Sequence, residues 1–126
     1  MNRLLITLEK AINDADIIVI SDYGKGTCTE KICVRTIEIA KVKQVIVDPK
    51  GTNWNKYKGA TVITPNMNEV NILTGLAVVN EDAMVEKNYG DLYKALQVKY
   101  MLLTRSEKGM SLVWRWYKMS YSGEFP

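Results

Sequence analysis

The chain contains no histidine, and that single absence removes His-based metal sites, Ser-His and Cys-His nucleophile pairs, and imidazole general bases. Any chemistry must run on carboxylates, lysines or a bound cation. Cysteine is nearly absent as well. Cys28 and Cys33 stand five apart, a spacing that fits neither a CxxC redox pair nor a zinc knuckle, so both are expected to be structural thiols of a reducing compartment. No apolar run approaches the ~18 residues of a membrane span, and the opening residues lack the apolar core and cleavage site of a signal peptide. A soluble cytoplasmic chain with no membrane partner is expected. Charge is equally undirected: 17 basic and 14 acidic side chains are scattered to a net +3, a mild attraction for small anions. No basic run marks a nucleic-acid-binding tail, so no nucleic-acid partner is expected.

What remains is globular. Hydrophobic residues make up 47% of 126 positions and charged residues 25%, enough apolar material for one domain with a real core. Leu5, Leu8 and Ile12 recur at helical spacing before the short apolar run Asp16 to Ile20. Thr27 and Glu30 read as a capping box opening a helix over about 28 to 41. Val45-Ile46-Val47 reads as the next strand, and a polar loop from Asn53 to Gly59 leads to a third, Thr61 to Thr64. A short helix near 67 to 75 closes on Gly75. A longer one from Glu81 to about Gln97 carries Val85, Tyr89, Leu92 and Leu96 on one face and is weakened at Gly90. Tyr100 to Leu103 is a fourth strand. Continuous apolar strands alternating with helices predict an α/β fold with a mostly parallel sheet, its strands buried on both faces. Ser111 to Trp114 is expected to pair back antiparallel on the sheet's edge.

Four polar motifs follow directly on these apolar runs: Ser21-Asp22-Tyr23-Gly24-Lys25-Gly26, Asp48-Pro49-Lys50-Gly51, Thr64-Pro65-Asn66-Met67-Asn68-Glu69 and Thr104-Arg105-Ser106-Glu107-Lys108-Gly109. Loops at the carboxyl ends of parallel strands converge on one crevice, where ligands bind. The motifs therefore describe one candidate site. Asn66 and Glu69 have the spacing of a helix cap, and as hard oxygen donors they also suit a magnesium ion bridging nucleotide phosphates, directly or through water. Lys50 lies in what can be an ordinary turn, or meets a phosphate as a compact point charge. The first motif places glycines before a helix whose amide end favours anions, but has neither the Walker A nor the GxGxxG spacing. Thr104, Ser106 and Gly109 form a turn, with Gly109 in the left-handed region, whose amides can touch a phosphate.

In this order and spacing the motifs resemble the ribokinase-like family of ATP-dependent carbohydrate kinases, whose fold is a three-layer α/β/α sandwich. Together with Tyr57-Lys58-Gly59-Ala60-Thr61, they look most like the branch that phosphorylates heptose 7-phosphate, over most of residues 1 to 113. The resemblance implies transfer of the ATP γ-phosphoryl group to the anomeric hydroxyl of D-glycero-D-manno-heptose 7-phosphate, a precursor step for lipopolysaccharide, with ATP and Mg2+ as cofactors. It implies that Asn66 and Glu69 serve magnesium and phosphate, that Lys50, Thr104, Ser106 and Gly109 line the nucleotide, and that Asp22, Tyr23 and Lys25 lie toward the phosphoryl-transfer centre.

The departures matter as much. The family's sugar-binding and lid segment before these motifs is not in this sequence, nor is the Gly-Ala-Gly-Asp that follows them, whose aspartate is the family's catalytic base. The chain is expected to be the central, nucleotide-side part of a kinase domain, not competent alone, with no catalytic residue of its own. Residues 114–126 leave the family pattern, as an altered reading frame or truncation would, and read as an edge strand or disordered tail. Uncovered sheet edges predict a homo-oligomer. Two alternatives stand beside this reading: a non-catalytic nucleotide- or phosphate-binding α/β domain, and a kinase for another sugar such as fructose 6-phosphate or ribose.

Overall fold

The computed structural model describes residues 2–22, 29–40, 42–75, 77–78, 80–114 and 117–121. Helix α1 (Asn2–Asp14) precedes strand β1 (Ile17–Ser21), followed by α2 (Glu30–Ala40), β2 (Gln44–Asp48), a 3-10 turn (Trp54–Tyr57) and β3 (Val62–Ile63). Helices α3 (Met67–Thr74) and α4 (Asp82–Leu96) then lead to β4 (Tyr100–Thr104), a 3-10 turn (Ser106–Lys108), β5 (Met110–Trp114) and β6 (Tyr117–Tyr121). The six strands lie side by side in chain order. The pairs from β1 to β4 are parallel, and β5 and β6 add antiparallel strands at one end. The fourth apolar run and its return strand pair as the sequence predicts, Leu102 opposite Leu112. Because β6 lies outside it, β5 is interior to the sheet rather than its edge.

Residues in register share a face, which divides the sheet into two unlike surfaces. Ile20, Val47, Ile63, Met101 and Val113 are successive neighbours across five strands, and all are buried. They join Val45, Leu103, Val70, Val85, Tyr89 and Leu96 in one core. The opposite row, Val19, Ile46, Val62, Tyr100 and Trp114, is half-buried or exposed, with Val19 at 63%. The expectation of strands buried on both faces is therefore corrected. An apolar run reports avidity for burial, and β1, with Ile17 also 55% exposed, is an outermost strand among the described residues.

Local signals explain most helix ends. Asn66 accepts the Glu69 N–H while the Glu69 carboxylate accepts the Asn66 N–H, a complete capping box for α3, and Gly75 closes that helix at φ 72°. Gln97 takes the same left-handed position after α4 at φ 53°. At α2 the Thr29 hydroxyl accepts the Ile32 N–H at 3.2 Å, so Thr29 supplies a cap where the sequence suggested Thr27. Thr27 and Cys28 lie outside the described residues, and Cys33 is a buried thiol on α2. The polar stretch after β2 is the largest surprise, since Trp54 and Tyr57 are both core residues. Their i, i+3 spacing in a 3-10 turn puts both rings on one side.

Candidate functional site

The parallel register brings the motifs to one sheet edge. Ser21 at the end of β1 stands opposite Asp48 at the end of β2, and the Asp22 N–H continues the ladder to the Asp48 carbonyl at 3.3 Å. Thr64 donates its N–H to Val47 O at 2.9 Å, tying the third motif to the second. Asn66 and Thr104 form a parallel bridge, with Thr104 N–H on Pro65 O at 3.0 Å, which ties the fourth motif to the third. Tyr23 and Lys25 of the first motif lie outside the described residues.

At the centre of this edge, Lys50 Nζ donates to Glu69 Oε2 at 2.8 Å and stands 3.9 Å from Asp48 Oδ1. The other carboxylate oxygen, Glu69 Oε1, accepts the Asn66 N–H at 2.9 Å, and Asn66 Oδ1 accepts the Glu69 N–H at 2.7 Å. The hydrogen bond to Glu69 holds the Lys50 ammonium above its ordinary pKa, against a smaller opposing effect of burial. Lys50, Asn66 and Glu69 are thus brought together as the sequence predicts, with Thr104 beside Asn66.

A second cluster was not visible in the sequence. Asp22 is buried, and its Oδ2 accepts hydrogen bonds from Lys56 Nζ at 2.7 Å and from Tyr57 Oη at 2.6 Å. The same tyrosine hydroxyl accepts the Lys50 N–H at 3.4 Å, so it joins the two clusters. Burial first, and the hydrogen bond to Asp22 second, push the Tyr57 pKa far above the usual phenol value; it remains a protonated donor. Lys56 and Tyr57 come from the turn Trp54–Tyr57 rather than from a strand end. The one available signal was the aromatic pair Trp54 and Tyr57 inside a polar stretch.

The turn after β4 is closed mostly on itself. Ser106 has φ 53° and Gly109 φ 77°, the Lys108 and Gly109 N–H groups bond to Arg105 O and Ser106 O, and the Arg105 N–H meets Gly109 O at 2.7 Å. Those three amides are taken by the turn itself, whereas Thr104 and Ser106 lie exposed beside them. The turn is anchored from below by Arg105, which is buried. Its Nε donates to Asn80 Oδ1 and its Nη1 to Ser111 Oγ, each at 2.8 Å, while Asn80 Nδ2 returns a bond to Arg105 O. This network too was missed, because arginine in a turn reads as solvent-facing.

Among the described residues, no group of three or more carboxylate, thiol or imidazole side chains gathers for a metal. The Asn66 and Glu69 oxygens are nonetheless hard donors of the kind magnesium accepts when most of its shell is water and substrate phosphate. The donor set fits that ion, directly or through water, and fits a thiol-seeking metal poorly. A cleft of about 250 Å³ lined by Trp54, Asn55, Leu73, Thr74 and Leu92 contains none of these charged groups. No helix among the described residues is long and apolar enough to cross a membrane.

No family model matches the chain. The chain is 44% identical over 113 residues to the bifunctional protein HldE of Paramagnetospirillum magneticum, covering 88% of this chain and 23% of that protein. It is 41% identical over 114 residues to HldE of Campylobacter jejuni, covering 88% and 24%. The chain therefore spans about a quarter of the length of these curated relatives. Among solved structures, phosphofructokinase-2 from Escherichia coli in complex with fructose-6-phosphate superposes with a TM-score of 0.72 at 16% identity, over 94% of this chain and 41% of that one. Ribokinase from Arabidopsis thaliana complexed with ribose and ATP does so with a TM-score of 0.72 at 20% identity, over 90% and 37%.

Proposed function

Since the chain is ribokinase-like in fold and homologous to one segment of the HldE bifunctional proteins, we propose that it is the nucleotide-side portion of an ATP-dependent sugar kinase whose substrate is D-glycero-D-manno-heptose 7-phosphate. The observation that carries this reading is the meeting of Lys50, Asn66, Glu69 and Thr104 at the carboxyl edge of the parallel sheet, where open α/β sheets bind ligands. Lys50 contacts a nucleotide phosphate, Thr104 and Ser106 with Gly109 border the nucleotide, and Asn66 and Glu69 hold Mg2+. An ion held there would supply positive charge against the nucleotide phosphates. Asp22, fixed by Lys56 and Tyr57, belongs to the side facing the transferred group.

Turnover is a separate matter. The 126 residues contain no Gly-Ala-Gly-Asp, and phosphoryl transfer depends on positioning and electrostatic stabilisation of the kind that segment supplies in the family. We place this chain alone at several orders of magnitude below a complete kinase. It works in the cytoplasm on a precursor of lipopolysaccharide, and pairs with a second copy through the β1 edge, where Ile17 and Val19 are exposed. Light scattering of wild type and Val19→Lys measures the last point, with a monomer expected only for the variant.

Thermal unfolding with and without magnesium-ATP tests the central reading, because a ligand that binds only the folded state raises its stability. A magnesium-dependent rise is expected, and it should vanish in the Asn66→Ala, Glu69→Ala double variant. A well-folded chain with no rise would overturn nucleotide binding.

A further inference from the structure

We propose that Lys50 is a resident counter-cation of Glu69 that closes its uncapped carboxylate oxygen to a bare divalent cation and yields it only when nucleotide phosphates draw the lysine away. The site then selects the metal–nucleotide complex over the metal alone. This inference rests on the functional reading above and adds a selection rule to it.

The geometry is specific about which partner can move. Glu69 is fixed: one carboxylate oxygen accepts the Asn66 N–H, its own N–H is held by Asn66 Oδ1, and its side chain is only 17% exposed. Lys50 is the loose partner, 40% exposed, on a flexible four-carbon stem. Its ammonium sits 2.8 Å from Glu69 Oε2, the carboxylate oxygen that the cap leaves for an incoming cation. While the lysine stays, a second cation at that oxygen meets a like charge at contact range and must also displace a charge-assisted hydrogen bond. A di- or triphosphate offers Lys50 a more highly charged partner than a single carboxylate. The same movement that satisfies the phosphate frees Oε2 of Glu69. Such coupling is reciprocal, so nucleotide and cation each raise the affinity for the other.

The test uses the 126-residue chain and two probes, Mn2+ alone followed by its electron paramagnetic resonance signal, and Mg-ADP followed by isothermal titration calorimetry. Wild type is expected to bind Mn2+ alone weakly. Lys50→Met and Lys50→Gln, two variants in case one folds poorly, are expected to bind Mn2+ alone about tenfold more tightly, since they remove both the repulsion and the competing pair. Adding Glu69→Gln to either variant should erase that gain. Equal Mn2+ affinity in wild type and both lysine variants overturns the inference, as does a gain that survives Glu69→Gln. Wild type that binds no Mg-ADP overturns the functional reading instead, and the selection rule falls with it.

Discussion

Replacing Tyr57 by phenylalanine removes one oxygen atom and leaves the ring in place, so it isolates the hydroxyl that joins the two charged clusters. Tyr57 is 0% exposed and Asp22 is 3% exposed, and the bond between them is 2.6 Å long. A hydrogen bond to a charged acceptor, buried where water cannot replace it, contributes about 2 kcal/mol. The second contact, to the Lys50 N–H at 3.4 Å, is long and adds little. No cavity beyond a single oxygen opens, so packing loss does not obscure the result. The expected cost is therefore about 2 kcal/mol. With a urea m-value of roughly 1–3 kcal/mol per molar for a chain of this size, the unfolding midpoint should fall by roughly 1 M. A cycle with Asp22→Asn assigns the loss to the pair, because an amide still accepts from the hydroxyl but without the charge, and the Tyr57→Phe effect should drop to about 1 kcal/mol on that background. A Tyr57→Phe chain within 0.5 kcal/mol of wild type, a margin of roughly the size at which surface substitutions scatter, would refute the argument that this hydroxyl holds Asp22 in place.

Gly59→Ala should destabilise by about 1–2 kcal/mol in the same urea assay, since Gly59 has φ +87° and a Cβ there would meet Ile37 Cγ2 at 3.2 Å. Asn66→Ala should cost about 1 kcal/mol by loss of the α3 cap, while Asn66→Asp should retain most of it, as read by thermal unfolding. Lys50→Met should change the alkaline limb of the stability profile. Pairing with Glu69 raises the folded-state pKa of Lys50 above the ordinary 10.5, so its contribution is complete below that pH and is lost as pH rises through the folded value. The gap in urea midpoint between wild type and variant should thus be constant near neutrality and close at pH above 10.5; a gap that widens there would contradict the pairing.

Much of the fold could be read from the chain because short apolar runs alternate with amphipathic stretches, and parallel order follows from that alternation. Asn66, Glu69 and Gly75 were legible for a more local reason, since a capping box and a left-handed terminus are each defined by a few neighbouring residues. The convergence of Lys50 with Glu69 was legible only as a consequence of topology: strand ends in a parallel sheet meet wherever their sequences lie. What escaped depends on partners distant in the sequence. Asp22 finds Lys56 and Tyr57 more than thirty residues away, and nothing local marks a lysine in a polar stretch as the partner of a buried carboxylate. Arg105 is hidden in a similar way, because Asn80 and Ser111, two of the partners that meet it in its buried position, carry no charge to advertise the pairing. The exposure of Val19 goes with the position of β1 at the end of the described sheet, which an apolar run does not encode.

The arrangement also bears on why binding and turnover can separate in such a chain. Several contacts that orient Lys50, Asn66 and Glu69 come from residues 48–69: the Glu69 and Asp48 carboxylates, the reciprocal cap, and the Tyr57 hydroxyl behind the Lys50 amide. Tyr57 in turn extends that support to Asp22. The proposed half-site is framed by a β-strand, a buried turn and one helix terminus, and rigid elements hold binding groups more accurately than loops do. Recognition of phosphate needs only this local frame. Transfer needs, in addition, donors and a base placed against the reacting atoms within a fraction of an ångström. On the proposed reading, ligand affinity rests on consecutive βα units, and affinity and rate can be measured apart in this chain.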